Sequence, residues 1–168
     1  MNDAIELTVR AISIGVGATL LMDLWALVLR QVCIPSLNLA FLGRWVGHLL
    51  RGRFRHHSIA NAAPIRGERW LGWSAHYAIG ITFAMALLWT CGLEWARSPT
   101  VLPALCTGIV TVVAPLSILQ PGMGAGIASS KTPTPVFNCL KSVVTHTVFG
   151  AGLYLTALAA AWAAPVGR

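Results

Sequence analysis

Four runs of apolar residues, each long enough to cross a bilayer, take up most of this chain. Residues 11–29 hold one charged side chain, Asp23, and residues 70–93, 98–130 and 142–167 hold no Asp, Glu, Lys or Arg at all. A helix rises about 1.5 Å per residue, so about 20 apolar residues span about 30 Å of hydrocarbon. The pattern predicts an all-α integral membrane bundle of four transmembrane helices, over residues 8–30, 70–93, 101–119 and 136–163, forming one domain. The third run is shortened because prolines and glycines interrupt it. Pro115 is expected to kink its second half, since proline removes a helical hydrogen bond and crowds the preceding turn. Thr134-Pro135 reads as an N-cap followed by a first-turn proline, launching the fourth span.

The long connection between spans one and two has a helical period of its own. From Leu37, apolar Phe41, Trp45 and Leu49 recur every four residues beside Leu42, Val46 and Leu50, while Arg44, His48, Arg51 and Arg55 step along the other face. This predicts an amphipathic helix lying in the membrane interface, started by Pro35-Ser36, with its apolar face among acyl chains and Arg44, Arg51 and Arg55 on anionic headgroups or another anion. His56 and His57 read as solvated.

Composition agrees with a membrane protein: 56% hydrophobic and 10% charged residues, with a mean hydropathy of +0.70, against roughly 25% charged in a soluble domain. Asp3 and Glu6 stand where a secretory signal would be basic, and no small-x-small site follows, so the first span is expected to be retained. Cys33, Cys91, Cys106 and Cys139 are scattered singly and are expected to be small buried packing residues. A net charge of +7 would suggest nucleic acid in a soluble chain. Here Arg30, Arg44, Arg51, Arg53, Arg55, Arg66 and Arg69 flank the first connection and Lys131 and Lys141 the third, against Arg10, Arg97 and Arg168 on the other side. That bias sets orientation: connections one and three cytoplasmic, both termini outside, and no nucleic-acid partner.

The candidate chemistry lies inside the spans. On the first, Ala11, Gly15, Thr19 and Asp23 are spaced by four, a small-residue stripe that predicts a bundle-facing acid. His76 precedes Gly80 by four residues in the second span, and His146 precedes Gly150 by four in the last. This faint echo suggests two similar helix pairs, residues 1–95 and 96–168. Counted from Arg30, Arg69 and Lys141, the acid and the two histidines lie at one depth, about 8–10 Å inside the basic boundary. An ionisable group in a span costs a few kcal/mol and marks a function or a buried pairing. Three readings stay open: a structural hydrogen-bond network, a proton or substrate relay, and a metal or b-type haem held by His76 and His146. No cofactor is the simplest expectation.

The third connection begins Gln120-Pro121-Gly122-Met123-Gly124-Ala125-Gly126. It is neither a P-loop nor a dinucleotide fingerprint, because the required glycines are missing. Gly122, Gly124 and Gly126 suit either a close-packed turn or backbone N–H groups cupping an anion.

Gly17-Ala18-Thr19, Met22-Asp23-Leu24-Trp25-Ala26-Leu27, Gly43-Arg44-Trp45, Arg51-Gly52-Arg53-Phe54, Arg66-Gly67-Glu68, His76-Tyr77 and the run from Gln120 to Gly126 together resemble a family of small bacterial inner-membrane proteins known only as a domain of unknown function. The resemblance covers nearly the whole chain. It implies a multi-pass protein of the bacterial inner membrane and supplies no activity. All the distinctive strings gather toward one leaflet, which suggests a small transporter handling a proton, ion or small anionic solute through Asp23, Thr19, His76 and His146. A membrane redox protein and a non-catalytic accessory subunit are the alternatives. Four short helices make a thin wall for a path, so a homo-oligomer is expected.

Overall fold

The computed structural model describes residues 2–163, and among these it is all helical. The order is α1 (Asp3–Gln31), α2 (Leu39–Leu49), α3 (Glu68–Arg97), α4 (Val101–Thr111), a π-helical turn (Pro115–Leu119), α5 (Gln120–Met123), a 3-10 turn (Ile127–Ser129) and α6 (Pro135–Ala163). Four helical stretches are long and apolar enough to cross a membrane: Asp3–Gln31, Glu68–Arg97, Val101–Met123 and Pro135–Ala163. Each covers a run expected from sequence. Arg168 lies outside the described residues.

The third stretch reaches Met123, further than its prolines suggested. Pro115 opens a π turn, closed by the Gln120 N–H donating to the Pro115 carbonyl. The helix widens directly after the proline and the chain continues instead of stopping. In α3 the helical path is interrupted at Gly92, with φ 77°, near the predicted end of that span.

Contacts divide the chain into two compact units that do not follow its sequence halves. One comprises the described parts of Met1–Val28, Tyr77–Val110 and Thr145–Arg168; the other comprises Leu29–His76 and Thr111–Val144. The first is a helical unit with a small-residue core, including Ala11, Ile14, Ala18, Ala84, Leu88, Ala104, Leu153 and Ala157. Helices in lipid gain little from hiding apolar surface, so they associate by close packing. A Cβ on Gly15 would stand 2.5 Å from the Ile81 Cα, and one on Gly108 would stand 2.5 Å from the Gly150 Cα and the His146 carbonyl oxygen. Thus α1 crosses α3 at the glycine after His76, and α4 crosses α6 at the glycine after His146. Each glycine of the echo lies at a helix crossing, but Gly80 faces the Thr19 side chain and Gly150 faces the backbone of Ala104, Leu105 and Gly108. The outward face of α1 leaves Ile12, Val16, Leu20, Leu24 and Leu27 exposed, a stripe suited to acyl chains and costly in water. Glu6 joins Arg10 at 2.8 Å and Arg97 at 2.7 Å, fastening the start of α1 to the end of α3.

The second unit holds both long connections around Leu42, Trp45 and Ile59. Here α2 crosses the start of α3 backbone to backbone, because a Cβ on Gly43 would strike the Glu68 carbonyl and one on Gly72 the Leu39 carbonyl. Two expectations change. The cap of α2 is Asn38, whose side chain accepts the Ala40 N–H at 3.0 Å, and not Ser36. Its apolar face is not left for acyl chains: Leu42 and Trp45 are buried in protein with His48, while Leu49 and Leu50 are exposed. Glycines at 43 and 47 turn that side of the helix into the packing surface, overriding the plain hydrophobic period. The cysteines change too. Cys33, Cys91 and Cys106 are free and exposed, and Cys139 is half-buried; Cys33 lies in the turn after α1 with φ 58°, and on the outward helix faces at Cys91 and Cys106 a thiol serves as apolar surface.

Candidate functional site

In the helical unit, Asp23 lies half-buried on α1 and accepts a hydrogen bond from the Tyr77 hydroxyl at 2.9 Å. Tyr77 suits this place, since its ring is apolar and its hydroxyl donates to a carboxylate shielded from water. One turn earlier, Thr19 is buried and returns its hydroxyl to the Gly15 carbonyl at 2.7 Å. Its Oγ1 fills the space that a Cβ on Gly80 would need, so Gly80 makes room for a polar group as well as for a helix crossing. His146 is buried on α6. His76 belongs to the other unit, where its ring meets Trp73 edge to face with centroids 6.4 Å apart. Asp23, Thr19 and His146 therefore share one compact unit, with Tyr77 as the partner that sequence reading did not single out. The adjacency His76-Tyr77 was the available signal: a phenol beside an intramembrane histidine. The indole N–H of Trp25 is buried without a hydrogen-bond partner; two residues from Asp23, it lies on another side of α1. No group of three or more His, Cys, Asp or Glu that could hold a metal occurs among the described residues.

The connection unit contains a second polar assembly. Arg44 forks onto Glu68, with Nε to Oε2 at 2.8 Å and Nη2 to Oε1 at 2.7 Å, and its Nη1 reaches the carbonyls of Ile59, Ala60 and Ala62 at 3.1–3.2 Å. Glu68 also accepts the Ile65 N–H at 3.0 Å. The Glu68 hydrogen bonds raise the Arg44 pKa above its ordinary value and keep it charged. Arg44 is thus the clamp of the 59–65 segment, with its guanidinium turned to protein, while Arg51, Arg53, Arg55, Arg66 and Arg69 are exposed. Glu68 was the missed partner. Trp45 donates its indole N–H to the Phe54 carbonyl at 2.9 Å. Lys141 on α6 reaches the Pro35 carbonyl at 2.7 Å.

The glycine-rich run is where the two connections join. Gly124 is left-handed at φ 100° and caps α5, with its N–H on the Gln120 and Pro121 carbonyls, and the Ala125 N–H returns to Gln120 at 2.8 Å. Those N–H groups close the helix end and are turned away from an external anion. The run's carbonyls do the docking: Gly122 accepts the His56 N–H and Met123 the Ile59 N–H, both at 2.9 Å. Gly122 lies on the Trp45 indole and Gly124 on the His57 carbonyl, where a Cβ would collide in each case. Gln120 accepts the buried Ser129 hydroxyl at 3.0 Å. His56 is buried, contrary to its expected solvation; its ring meets the Gly122 carbonyl at 3.2 Å and His48 at 3.0 Å. His57 is exposed as expected.

No curated protein and no solved structure matches the chain. A family model described as a protein of unknown function, DUF2938, matches residues 12–160. That span takes in α2, both glycine crossings, the Asp23–Tyr77 pair and the glycine-rich junction, and the chain belongs to the DUF2938 family.

Proposed function

We propose that this protein is a small transporter that moves a proton, or a small solute coupled to one, past Asp23. The observation that carries the reading is the Asp23–Tyr77 hydrogen bond inside two apolar helices. A carboxylate kept there costs several kcal/mol unless it is stabilised or used, and a phenol partner lets it gain and lose a proton without being stranded. His146 and Thr19, in the same unit, extend the polar cluster. The basic bias supports an inner-membrane orientation with both termini periplasmic, and the exposed arginines at 51, 53 and 55 support contact with anionic headgroups. A homo-oligomer supplies the wall that four helices lack.

The test is flux. Protein reconstituted in liposomes of anionic and zwitterionic lipid, loaded with a pH-reporting dye, should pass protons under an imposed potential. Asp23→Asn keeps the volume and can still accept from Tyr77, so it should fold normally and lose the flux. Equal flux in wild type and Asp23→Asn, or none in either, would sink the proposal. A Soret band in protein purified from its native membrane, lost in His146→Ala, would favour the redox reading instead.

A further inference from the structure

His48 and His56 form a buried chain of three hydrogen bonds whose proton count is informative. His48 Nε2 lies 2.9 Å from the Ala63 carbonyl oxygen, His48 Nδ1 lies 3.0 Å from His56 Nε2, and His56 Nδ1 lies 3.2 Å from the Gly122 carbonyl oxygen. Carbonyl oxygens only accept, so the two outer nitrogens must each carry a proton. The inner pair needs one proton between them, or two lone pairs would face each other at 3.0 Å. The sum is three protons on four ring nitrogens. Two neutral imidazoles carry two.

We propose that His48 and His56 bind one proton between them, and that this shared proton latches the first connection onto the glycine-rich turn. The two residues are 7% exposed each, and their rings meet edge to face at 4.9 Å between centroids, so little of the missing bond is open to solvent. When the proton leaves, two arrangements keep the ring-to-ring bond: one gives up the 2.9 Å contact of His48 with Ala63 and the other the longer 3.2 Å contact of His56 with Gly122. The longer contact yields, and the remaining His56 proton moves to Nε2. Its Nδ1 lone pair then faces the Gly122 oxygen. Loss of the proton is therefore felt at Gly122, whose carbonyl also holds the His56 backbone N–H.

The charged groups around the pair are compatible with one extra positive charge. On α2, Arg44 lies one turn away but is neutralised by Glu68 at the start of α3. Arg51, Arg53, Arg55 and His57, on the pair's own segment, are exposed. The run from Gln120 to Gly126 carries no titratable side chain, and Lys131 beyond it is exposed. Both histidines lie outside the four apolar stretches, with Gly122 at the end of the third, and the latch is independent of the flux reading.

The test uses the full chain in lipid nanodiscs, labelled with nitrogen-15 histidine and followed from about pH 5 to 9, the range in which imidazoles change charge. His48 and His56 should titrate together in a one-proton step, with a coupling across the Nδ1–Nε2 bond on its protonated side. Amide exchange at His56 and Ile59, corrected for intrinsic rate, should quicken roughly tenfold above that step, the scale of one charge-assisted hydrogen bond. In His56→Asn, the amide nitrogen takes the place of Nδ1 and donates to Gly122 without a titrating proton, so Ile59 protection should become independent of pH. Rings that titrate separately overturn the proposal. So does wild-type amide protection that stays level across the step, whether or not the variant folds.

Discussion

The Arg44–Glu68 clamp gives a direct test of how the connection unit is held, through Arg44→Lys. Lysine keeps the charge and most of the reach but offers one ammonium where arginine offers a planar fork. Arg44 spends Nε and Nη2 on the two carboxylate oxygens and Nη1 on three backbone carbonyls. An ammonium cannot reach both sets. If it follows Glu68, the carbonyls of 59–62 lose their donor; if it follows the carbonyls, the bidentate pair is lost. Side-chain exposures of 11% and 18% place the pair between two regimes: about 0–1 kcal/mol for an exposed ion pair and about 3–5 kcal/mol for breaking a buried one. Losing one charge-assisted hydrogen bond and weakening another gives about 2 kcal/mol. The assay is thermal unfolding in a fixed detergent, with hydrogen exchange over residues 59–68 to localise the loss. Exchange there should accelerate roughly thirtyfold, the equivalent of about 2 kcal/mol, while helices of the other unit stay protected. A change below about 0.5 kcal/mol, or exchange rising evenly along the chain, would refute the clamp and leave a surface ion pair.

Two further expectations follow from glycines and from charge. Gly52 and Gly124 are both left-handed, at φ 77° and 100°, but only Gly124 lies against another backbone. Gly52→Ala should therefore cost about 1 kcal/mol of conformational strain, whereas Gly124→Ala should also push residues 56–57 off the turn, read as lost protection at Ile59; equal effects would show that the close approach is unimportant. For orientation, reporter fusions after residues 60 and 97 should report cytoplasm and periplasm respectively, and the reverse pattern would overturn the proposed topology.

The spans were legible because bilayer thickness imposes a length that any apolar run reveals. Gly80 and Gly150 were legible as a weak echo and Gly15 as part of a small-residue stripe, since close helix crossing leaves few residue choices, whereas Gly108 carried no such signal. The connection unit was much less so. Arg44 read as a headgroup ligand because a helical period shows which face a residue is on, not whether Glu68, 24 positions away, turns that face inward. His56 read as solvated for the same reason: its burial depends on Gly122 carrying no side chain. The strings Gly43-Arg44-Trp45, Arg66-Gly67-Glu68 and Gln120 to Gly126 looked like separate signatures, yet each supplies a partner to the same docked segment. Tyr77 was overlooked because a phenol has no charge to draw attention in a hydropathy pattern.

The docking of residues 56–59 onto Gly122 and Met123 also sets an order of events during synthesis. The helices that cross at Gly15 and Ile81 both exist once the first half of the chain has been made. The seat for His56 is encoded 66 positions later; at ~5–20 residues/s it emerges about 3–13 s after the segment that must occupy it. Until then the first hairpin carries an unfinished loop, with the His56 and Ile59 amides open to water and the Trp45 indole uncovered by Gly122. A ribosome stalled in this interval holds a membrane-paired but unlatched chain.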